Sequence, residues 1–227
     1  MQIVISETFF HFRFFMRSSK IDKVSISKEF SRILRHAAAD TPGISMRSDG
    51  FVELDQLLAL PFFRRNAVDM TFVRELVSND EKSRFSLVNE NGTLLIRANQ
   101  GHSTKIASLL DVNEILEPIV SPADIPKVVH GTTLEAWSQY IQTQGLKPMR
   151  RSHIHFAPGV LGEDGVRSGM RKSSGVYIYI NAERAMAAGI KFFRSANNVI
   201  LSDGLDGVIS PEFFEKVVDA KSGRTVS

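Results

Sequence analysis

The sequence predicts an α+β protein with two lobes, a helical N-terminal lobe that ends in a β-hairpin and a C-terminal lobe of short strands. Apolar residues first recur at helical spacing and later alternate as in strands. An acidic, proline-bearing stretch, 111–126, separates the two patterns and is interpreted as an interdomain linker. We therefore predict an N-terminal extension over 1–23, a first lobe over 24–120 and a second lobe over 121–227.

The first helix is predicted over 26–37, where apolar residues recur every three or four positions. Ser27 is its predicted N-cap, and the run 41–43 ends it. Arg35 and His36 lie in the last turn of this helix. Basic residues there can simply complement the helix dipole, so this pair is not sufficient evidence of a site by itself.

Two further helices are predicted in the first lobe. One covers 52–60 and is closed by Pro61, and the other covers 68–78 with Asn66 or Asp69 as its cap. Together with the first helix they make the helical part of a winged-helix pattern, a fold that often binds nucleic acid but does not establish a function.

A β-hairpin is predicted from two strand-like runs, 84–88 and 93–97, joined at the dipeptide Asn91-Gly92. This hairpin completes the winged-helix pattern. Arg84 opens its first strand and Arg97 closes its second, and each is also explained as a solvated charge at the end of a strand.

The second lobe is predicted to be built mostly of strands. The predicted strands cover 128–130, 176–180, 199–201, 207–209 and 213–218, and the predicted helices cover 133–144 and 181–188. The phosphate-binding loop, the dinucleotide fingerprint, the zinc-protease helix and the nucleophile elbow are all missing from the sequence. It therefore disfavours kinases, dehydrogenases, zinc proteases and serine hydrolases of those types.

The composition limits the function further. The chain has 227 residues, 43% hydrophobic content and a net charge of +3, so contact with nucleic acid requires local clusters of Lys and Arg. It has no cysteine, which excludes disulfides and thiolate chemistry. No run approaches the roughly 18–20 apolar residues of a membrane span, so no membrane partner is expected. We expect an intracellular protein of the cytoplasm or nucleus.

The aromatic and basic run 9–17 lacks the long apolar region and cleavage site of a secretory signal. An organellar presequence stays open for it, and a poorly ordered extension or an edge strand is the favoured interpretation.

Basic residues cluster at four places along the chain. The clusters are Arg35-His36, Arg84, His130-Gly131-Thr132 and Arg151 to His155. Guanidinium groups match phosphate oxygens in a bidentate fashion, and imidazole exchanges protons near neutral pH. Together these clusters predict one anion-binding active site. The histidines lack an accompanying carboxylate motif, so no metal is expected.

These clusters belong to a longer series of short motifs in a set order. The motifs are Leu34 to His36, Asp49 to Val52, Asn79 to Phe85, Ile96 to Ser103, His130 to Thr132, Gly145 to Met149, Arg151 to His155, Gly162 to Arg171 and Phe192 to Leu201. Through them the sequence resembles, from Ser27 to Val218, the tRNA 2′-phosphotransferases, NAD-dependent enzymes that remove the splice-junction 2′-phosphate from RNA.

The resemblance implies that the first lobe is a winged helix and the second an ADP-ribosyltransferase fold. It implies NAD+ as co-substrate and a spliced tRNA with an internal 2′-phosphate as partner. We also expect a monomer. The implied reaction has two steps, through a 2′-phospho-ADP-ribosylated RNA intermediate. Its products are RNA with a 2′-hydroxyl, nicotinamide and ADP-ribose 1″,2″-cyclic phosphate.

The resemblance also implies the site residues. The implied catalytic set is Arg35, His36, Arg84 and Arg151, in which the arginines hold the phosphate and the histidine assists the second step. The implied NAD+ contacts are His130, Gly131, Thr132, His153, His155, Ser168, Gly169 and Arg171. Neighbouring Arg150 and Arg97 compete with Arg151 and Arg84, and the runs R-x-H-I-H and K-x-R-F favour the latter two.

Other functions remain open at this point. One is an NAD-dependent ADP-ribosyltransferase that caps terminal phosphates of RNA or DNA and stops after the first step. Another is a catalytically silent RNA-binding winged-helix protein. A protein-modifying ADP-ribosyltransferase is disfavoured, because the strand 176–180 lacks a glutamate.

Overall fold

The structure is a computed structural model that describes residues 22–160, 162–163, 166 and 168–226. The interpretations of the run 9–17 lie outside these residues. Within them, no helix is long and apolar enough to cross a membrane.

The helices alternate with short strands along the chain. The helices are α1 (Lys23–Arg32), α2 (Leu54–Leu58), α3 (Pro61–Arg65), α4 (Met70–Ser78), α5 (Thr104–Ala107), α6 (Val112–Ile115), α7 (Leu134–Ala136), α8 (Gln142–Gln144) and α9 (Ala182–Ala187). Turns of π-helix cover Ile33–Ala37 and Trp137–Ile141, and turns of 3₁₀-helix cover Ala38–Asp40, Pro122–Asp124 and Pro211–Phe213.

The strands form antiparallel sheets. The strands are β1 (Val52–Glu53), β2 (Phe85–Glu90), β3 (Thr93–Ala98), β4 (Leu116–Ile119), β5 (Val129–Thr132), β6 (Ile154–Phe156), β7 (Val176–Ile180), β8 (Phe192–Ser195), β9 (Ile200–Ser202) and β10 (Phe214–Asp219). In the described part of the chain they pair in the orders β1-β3-β2, β10-β7-β5 and β4-β8-β9-β6. The predicted α+β class is confirmed.

Helix α1 begins four residues before the predicted cap. The Asp22 carboxylate accepts a hydrogen bond from the Val24 amide, so Asp22 is the N-cap and Ser27 lies inside the helix. The prediction of Ser27 as N-cap is therefore wrong. The apolar face is as predicted, because Ile26 and Phe30 are fully buried in the first core.

The prediction of one helix over 52–60 is wrong in part. Val52–Glu53 forms β1, which pairs with Ile96 and Leu95 of β3, and only Leu54–Leu58 is helical. Pro61 begins α3, since a proline at the first helical position loses no hydrogen bond there. The alternative cap Asp69 is confirmed for α4.

The predicted hairpin is confirmed. Strands β2 and β3 pair in register from Phe85 opposite Ala98 to Glu90 opposite Thr93. At the turn Asn91 has φ 50° and Gly92 has φ 88°, and a tight hairpin turn of the primed type needs two positive φ angles. Helices followed by a small antiparallel sheet agree with a winged helix, which stays a prediction for this lobe.

The interpretation of 111–126 as a linker is wrong for its central part. Residues Leu116–Ile119 form β4, which pairs antiparallel with β8. Pro118 is compatible with this strand because β4 lies at the edge of its sheet, where a missing amide hydrogen is tolerated. The strand β8 was not predicted, and 207–209 forms isolated bridges instead of a strand.

Two separate hydrophobic cores lie on either side of this segment. The first is built from α1, α2, α4, the hairpin and Ile106 of α5, and the second from β6, β7, β8, β9, β10 and their neighbours. Reciprocal backbone hydrogen bonds between Val129 and Ala157, of 3.0 and 2.8 Å, join β5 to the end of β6. This junction brings the histidine motifs of the two strands together.

Candidate active site

Arg35 lies on the π-helical turn that continues α1, a local geometry that is frequent at functional sites. Its backbone carbonyl accepts a 2.9 Å hydrogen bond from the Ser103 amide. Its guanidinium packs on Gly101, where an added Cβ would lie 3.6 Å from Nε and Cζ of Arg35. Gly101 has φ +87°, a conformation that favours glycine. The segment 100–103 therefore fixes the position of Arg35.

The Arg35 guanidinium is buried and forms no direct ion pair among the described residues. Its Nε and Nη2 have no hydrogen-bond partner among them. Burial, together with the cations of Arg151 and Arg84, lowers the pKa of Arg35 to about 10, although the Asp80 carboxylate acts in the opposite direction. A desolvated cation with free donors and cationic neighbours is stabilised by an anion that accepts from it. This arrangement indicates an anion-binding site.

Arg84 immediately precedes β2, and its guanidinium forms an ion pair with Asp80. The same carboxylate accepts a 2.6 Å hydrogen bond from the backbone amide of Arg84. Asp80 therefore orients Arg84 towards the site. The rival Arg97 is held elsewhere, since its Nη1 donates to the Asp49 carbonyl at 2.9 Å and its guanidinium lies 4.7 Å from the centre of the Phe51 ring.

Arg151 follows a turn in which its amide donates to the Pro148 carbonyl at 3.1 Å. Arg151 also forms an isolated bridge with Ser103, on the segment that holds Arg35. Partial desolvation and the cation of Arg171 lower the pKa of Arg151. The structure thus brings Arg35, Arg84, Arg151 and Arg171 into one electrostatic cluster, although they come from four separate motifs.

A groove of about 570 Å³ opens beside this cluster, with Arg35, His36 and Arg84 among its lining residues. His36 is exposed on the same π-helical turn. Partial burial and the cations of Arg35 and Arg151 lower the pKa of His36. A proton on this imidazole is therefore readily given up, which suits a group that exchanges protons.

His155 lies on β6 and is only 8% exposed. Its Nδ1 lies 2.9 Å from the His153 carbonyl oxygen, and its Nε2 lies 2.8 Å from Oε1 of Gln100. Burial, together with the cation of Arg151, lowers the pKa of His155 to about 3. The neutral His155 ring carries one N–H proton, so it can donate to only one of these two oxygens. If the Gln100 amide is rotated by 180°, its NH2 group donates to Nε2 and both ring nitrogens are satisfied.

His130 lies on β5 next to β6. Its Nδ1 lies 2.9 Å from the His155 carbonyl oxygen, which can only accept, so Nδ1 carries the proton. Burial lowers the pKa of His130. The neutral ring therefore keeps a lone pair on Nε2, which can accept a hydrogen bond from a ligand hydroxyl.

Gly131 allows a close approach of the chain beside His130. An added Cβ would lie 2.6 Å from Oγ of Ser174 and 2.9 Å from Cβ of Met170. The Thr132 carbonyl accepts a 2.9 Å hydrogen bond from the Gly175 amide. Backbone packing is therefore tight at this motif, and a side chain at 131 would displace its neighbours.

The motif at 168–171 packs on β6. Ser168 is buried, and Gly169 has φ +101° with an added Cβ only 2.7 Å from the Phe156 carbonyl oxygen and 2.9 Å from the Ala157 amide nitrogen. Only glycine fits such a contact with backbone. The packing of Gly169 thus sets the direction in which the chain reaches Arg171.

His153 faces a different cavity from the groove. With His102, Ser152, Asp203 and Phe193 it lines a mostly apolar cavity of about 210 Å³. Burial lowers the pKa of His153, and burial together with the cation of Arg35 lowers the pKa of His102 to about 4. His153 thus lies at a cavity that Gln100, Gly101 and His102 also line, and it does not line the groove beside Arg35.

Sequence reasoning assigned no role to Gln100 and His102. The His102 carbonyl accepts a 3.2 Å hydrogen bond from the Ser152 amide, and Gln100 contacts His155. Both residues belong to the motif Ile96 to Ser103, a polar run directly after an apolar strand. That run was the available signal, but its contacts join distant parts of the chain.

No cluster of three or more His, Asp or Glu side chains that could hold a metal ion occurs within residues 22–226, as far as the structure describes them. The donors of the site are arginines with free hydrogen-bonding capacity and neutral histidines. Such a set has the chemistry to bind a phosphate next to uncharged polar groups.

The chain belongs to the RNA 2′-phosphotransferase family described as the Tpt1 / KptA family, whose family model matches residues 21–204. The family resemblance predicted from the sequence is thereby confirmed. A Schizosaccharomyces pombe relative is 44% identical over 196 residues, which cover 86% of this chain and 51% of that protein. This chain therefore spans about half the length of that relative.

Two vertebrate relatives match over most of their length. The Danio rerio tRNA 2′-phosphotransferase 1 is 42% identical over 204 residues, which cover 88% of this chain and 87% of that protein. The Homo sapiens tRNA 2′-phosphotransferase 1 is 41% identical over 205 residues, which cover 88% of this chain and 78% of that protein.

Proposed function

We propose that the protein, acting as a monomer, transfers the splice-junction 2′-phosphate of a ligated tRNA to NAD+. The observation that supports this best is the buried, unpaired guanidinium of Arg35 beside Arg84 and Arg151. An anion that accepts from several arginines would offset their repulsion and desolvation. The tRNA substrate is proposed because the Danio rerio and Homo sapiens relatives are tRNA 2′-phosphotransferases.

The residues of the second lobe fit NAD+. The free Nε2 of His130 can accept from a ribose hydroxyl, and the side chains of Ser174 and Met170 pack closely on the neighbouring Gly131. Arg171, which acts electrostatically on Arg151, is a suitable partner for the pyrophosphate. We propose that this lobe has the ADP-ribosyltransferase fold and that the first lobe is a winged helix.

In the proposed reaction an oxygen of the RNA 2′-phosphate forms a bond to C1″ of the nicotinamide ribose, and the bond to nicotinamide breaks. The ribose O2″ of the 2′-phospho-ADP-ribosylated RNA then attacks phosphorus. The RNA 2′-oxygen leaves with a proton, and ADP-ribose 1″,2″-cyclic phosphate forms.

The protein's own contribution is mainly positioning and charge compensation. Arg35, Arg84 and Arg151 hold the phosphate oxygens and the charge that develops on them. His36, exposed and with a lowered pKa, moves the proton between O2″ and the leaving 2′-oxygen in the second step.

The test is incubation of the purified protein with NAD+ and a short RNA that carries an internal 2′-phosphate. We expect release of nicotinamide and formation of RNA with a 2′-hydroxyl. Arg35→Ala should accumulate ADP-ribosylated RNA if Arg35 acts mainly in the second step, and should lose both products if it binds the phosphate throughout. Arg65→Ala, an exposed arginine on α3, is the matched control.

A parallel reaction separates this function from the alternative of capping terminal phosphates. An RNA with a 5′-phosphate and no 2′-phosphate should stay unmodified. Stable ADP-ribosylation of that 5′-phosphate, with no loss of a 2′-phosphate from the first RNA, would overturn the proposal in favour of the capping enzyme.

A further inference from the structure

The groove beside Arg35 extends well beyond the proposed catalytic set. Its lining continues along one face of α1, and the residues of this face are Lys23, Val24, Ser27, Lys28, Ser31 and Arg32. We call these residues the α1 face. Positions 28, 31, 32 and 35 are separated by three, four and seven residues, which places them on one side of a helix.

We propose that the α1 face binds the RNA strand that flanks the 2′-phosphate, with Lys28 and Arg32 contacting its phosphodiester groups. This inference rests on the proposed function. At 1.5 Å per residue, Lys28 and Arg35 are separated by roughly 10 Å along the helix. A substrate that contacts both positions therefore extends beyond the 2′-phosphate itself.

The charge of the groove fits a polyanion. Lys23, Lys28, Arg32, Arg35 and Arg84 are its cationic lining residues, whereas Glu75 and Asp80 are its acidic ones. The cations are therefore in excess, and a strand of phosphates would neutralise them.

The cations of the α1 face are available for such contacts. Lys23 lies 3.9 Å from Glu75 in a pair that is exposed on both sides and contributes little stability. Arg32 pairs with Glu29 at 2.7 Å, and its side chain is still 55% exposed. Lys28 is exposed and has no ion-pair partner among the described residues. Lys28 and the exposed part of Arg32 are thus accessible to RNA phosphates.

The position of the groove favours RNA over NAD+ as its occupant. Its lining residues all lie between positions 23 and 84, in the first lobe. The residues proposed for NAD+ lie between 130 and 171, and none of them is among the lining residues of the groove. The groove is therefore open to the RNA substrate. Ser27 and Ser31 add hydroxyl donors to the RNA side, and the exposed Val24 adds an apolar contact for a base.

The test compares a dinucleotide with an internal 2′-phosphate and a single-stranded 20-mer with the same group at its centre. Nicotinamide release gives kcat/KM for each RNA. The double variant Lys28→Ala/Arg32→Ala should lose about tenfold or more on the 20-mer and stay within about twofold on the dinucleotide. The matched control is Arg64→Ala/Arg65→Ala, which removes two exposed cations from α3 and should change neither value.

Binding of the 20-mer, followed by fluorescence anisotropy at several salt concentrations, gives an independent readout. Each phosphate contact on a single strand contributes about 0.7 to the slope of log K against log salt, so the double variant should flatten this slope by about 1.4. An unchanged slope and unchanged kcat/KM on the 20-mer would overturn the inference. Equal losses on both RNAs would also overturn it, since they would indicate a general defect.

Failure of the proposed function gives a different result. A wild-type protein that releases no nicotinamide with either RNA would contradict the phosphotransferase proposal. The salt slope of the wild type against the double variant would still decide whether the α1 face binds RNA. Circular dichroism and thermal melting confirm that each variant is folded.

Discussion

The candidate site has two halves that differ in charge. The first half surrounds Arg35, and the second contains His130 and His155. In the first half, Arg35 stays charged although it is buried and has no direct ion-pair partner among the described residues. In the second half, burial lowers the pKa values of His130 and His155, so both rings stay neutral near pH 7. The first half thus attracts a charged group, and the second offers directed hydrogen bonds without charge.

This difference indicates how one site can separate two substrates. A phosphate gains most where donors and positive charge are unpaired, whereas a ribose hydroxyl or an amide gains most from an oriented neutral acceptor. The segment 100–103 joins both halves, because Gly101 packs on Arg35 while Gln100 contacts His155. We expect changes in this segment to affect both substrates.

The largest expected effect comes from removing charge in the first half. Arg35→Ala should lower kcat/KM for phosphate transfer by a hundredfold or more, which corresponds to roughly 3–4 kcal/mol of barrier. Arg35→Lys should restore only part of it, since an ammonium lacks the bidentate fork. Formation of RNA with a 2′-hydroxyl at saturating NAD+ measures this, because nicotinamide release reports only the first step. A loss below tenfold in Arg35→Ala, with Arg65→Ala as reference, would contradict the role of Arg35.

The next effect tests the close backbone approach in the second half. Gly131→Ala should raise KM for NAD+ by about tenfold or more, because the new Cβ would lie 2.6 Å from Oγ of Ser174 and push this neighbour aside. Gly175→Ala is the matched control, since its Cβ would meet nothing within 4 Å. Similar KM values for the two variants would show that the packing at 131 does not shape the NAD+ site.

A third effect concerns the pH dependence of stability. The ordinary pKa of histidine is 6.5, whereas the folded values are about 4 for His102 and about 3 for His155. Below pH 6.5 these two histidines bind protons in the unfolded chain but stay neutral in the folded chain. The free energy of unfolding should therefore fall as the pH is lowered from 6.5 towards 4, by about 1.4 kcal/mol per pH unit for each ring.

Urea denaturation at pH 7.5, 6.5, 5.5 and 5.0 measures this dependence. His102→Gln should make the profile less steep between pH 6.5 and 5.0, since it removes one titrating ring. A free energy of unfolding that stays constant over this range in the wild type would show that the two histidines are not kept neutral by burial.

The smallest expected effect is a change in the pKa of a single imidazole ring, that of His155. Gln100→Glu replaces the amide beside Nε2 of His155 by a carboxylate, which favours the imidazolium and should raise the pKa of His155 by about one unit or more. Two-dimensional NMR of the ¹⁵N-labelled imidazole follows this pKa and the tautomer. Gln100→Ala should leave the ring neutral. Equal pKa values in the three proteins would refute the contact.

Local features of the fold were predictable from the sequence, and contacts between distant segments were not. The cap Asp69 and the turn Asn91-Gly92 follow from short-range chemistry, and both are confirmed. The strand β4 was missed because Pro118 favours a linker unless the strand is known to lie at a sheet edge.

For the candidate site too, local motifs could be predicted from the sequence, but contacts between distant residues could not. Arg35 and Arg84 were identified through motifs, and the structure places them in one cluster with Arg151. The contact of Gln100 with His155 spans 55 positions, and no local pattern reveals it. The π-helical turn at Arg35 was also unpredictable, since helical periodicity does not distinguish it from the end of an α-helix.

The most direct test of the division between the two halves is isothermal titration calorimetry of each substrate by itself. Arg35→Ala should weaken binding of a 2′-phosphorylated RNA by at least tenfold and leave NAD+ binding within about twofold of the wild type. Gly131→Ala should do the reverse. If either variant weakens both ligands equally, the two halves do not separate the substrates and the account is contradicted.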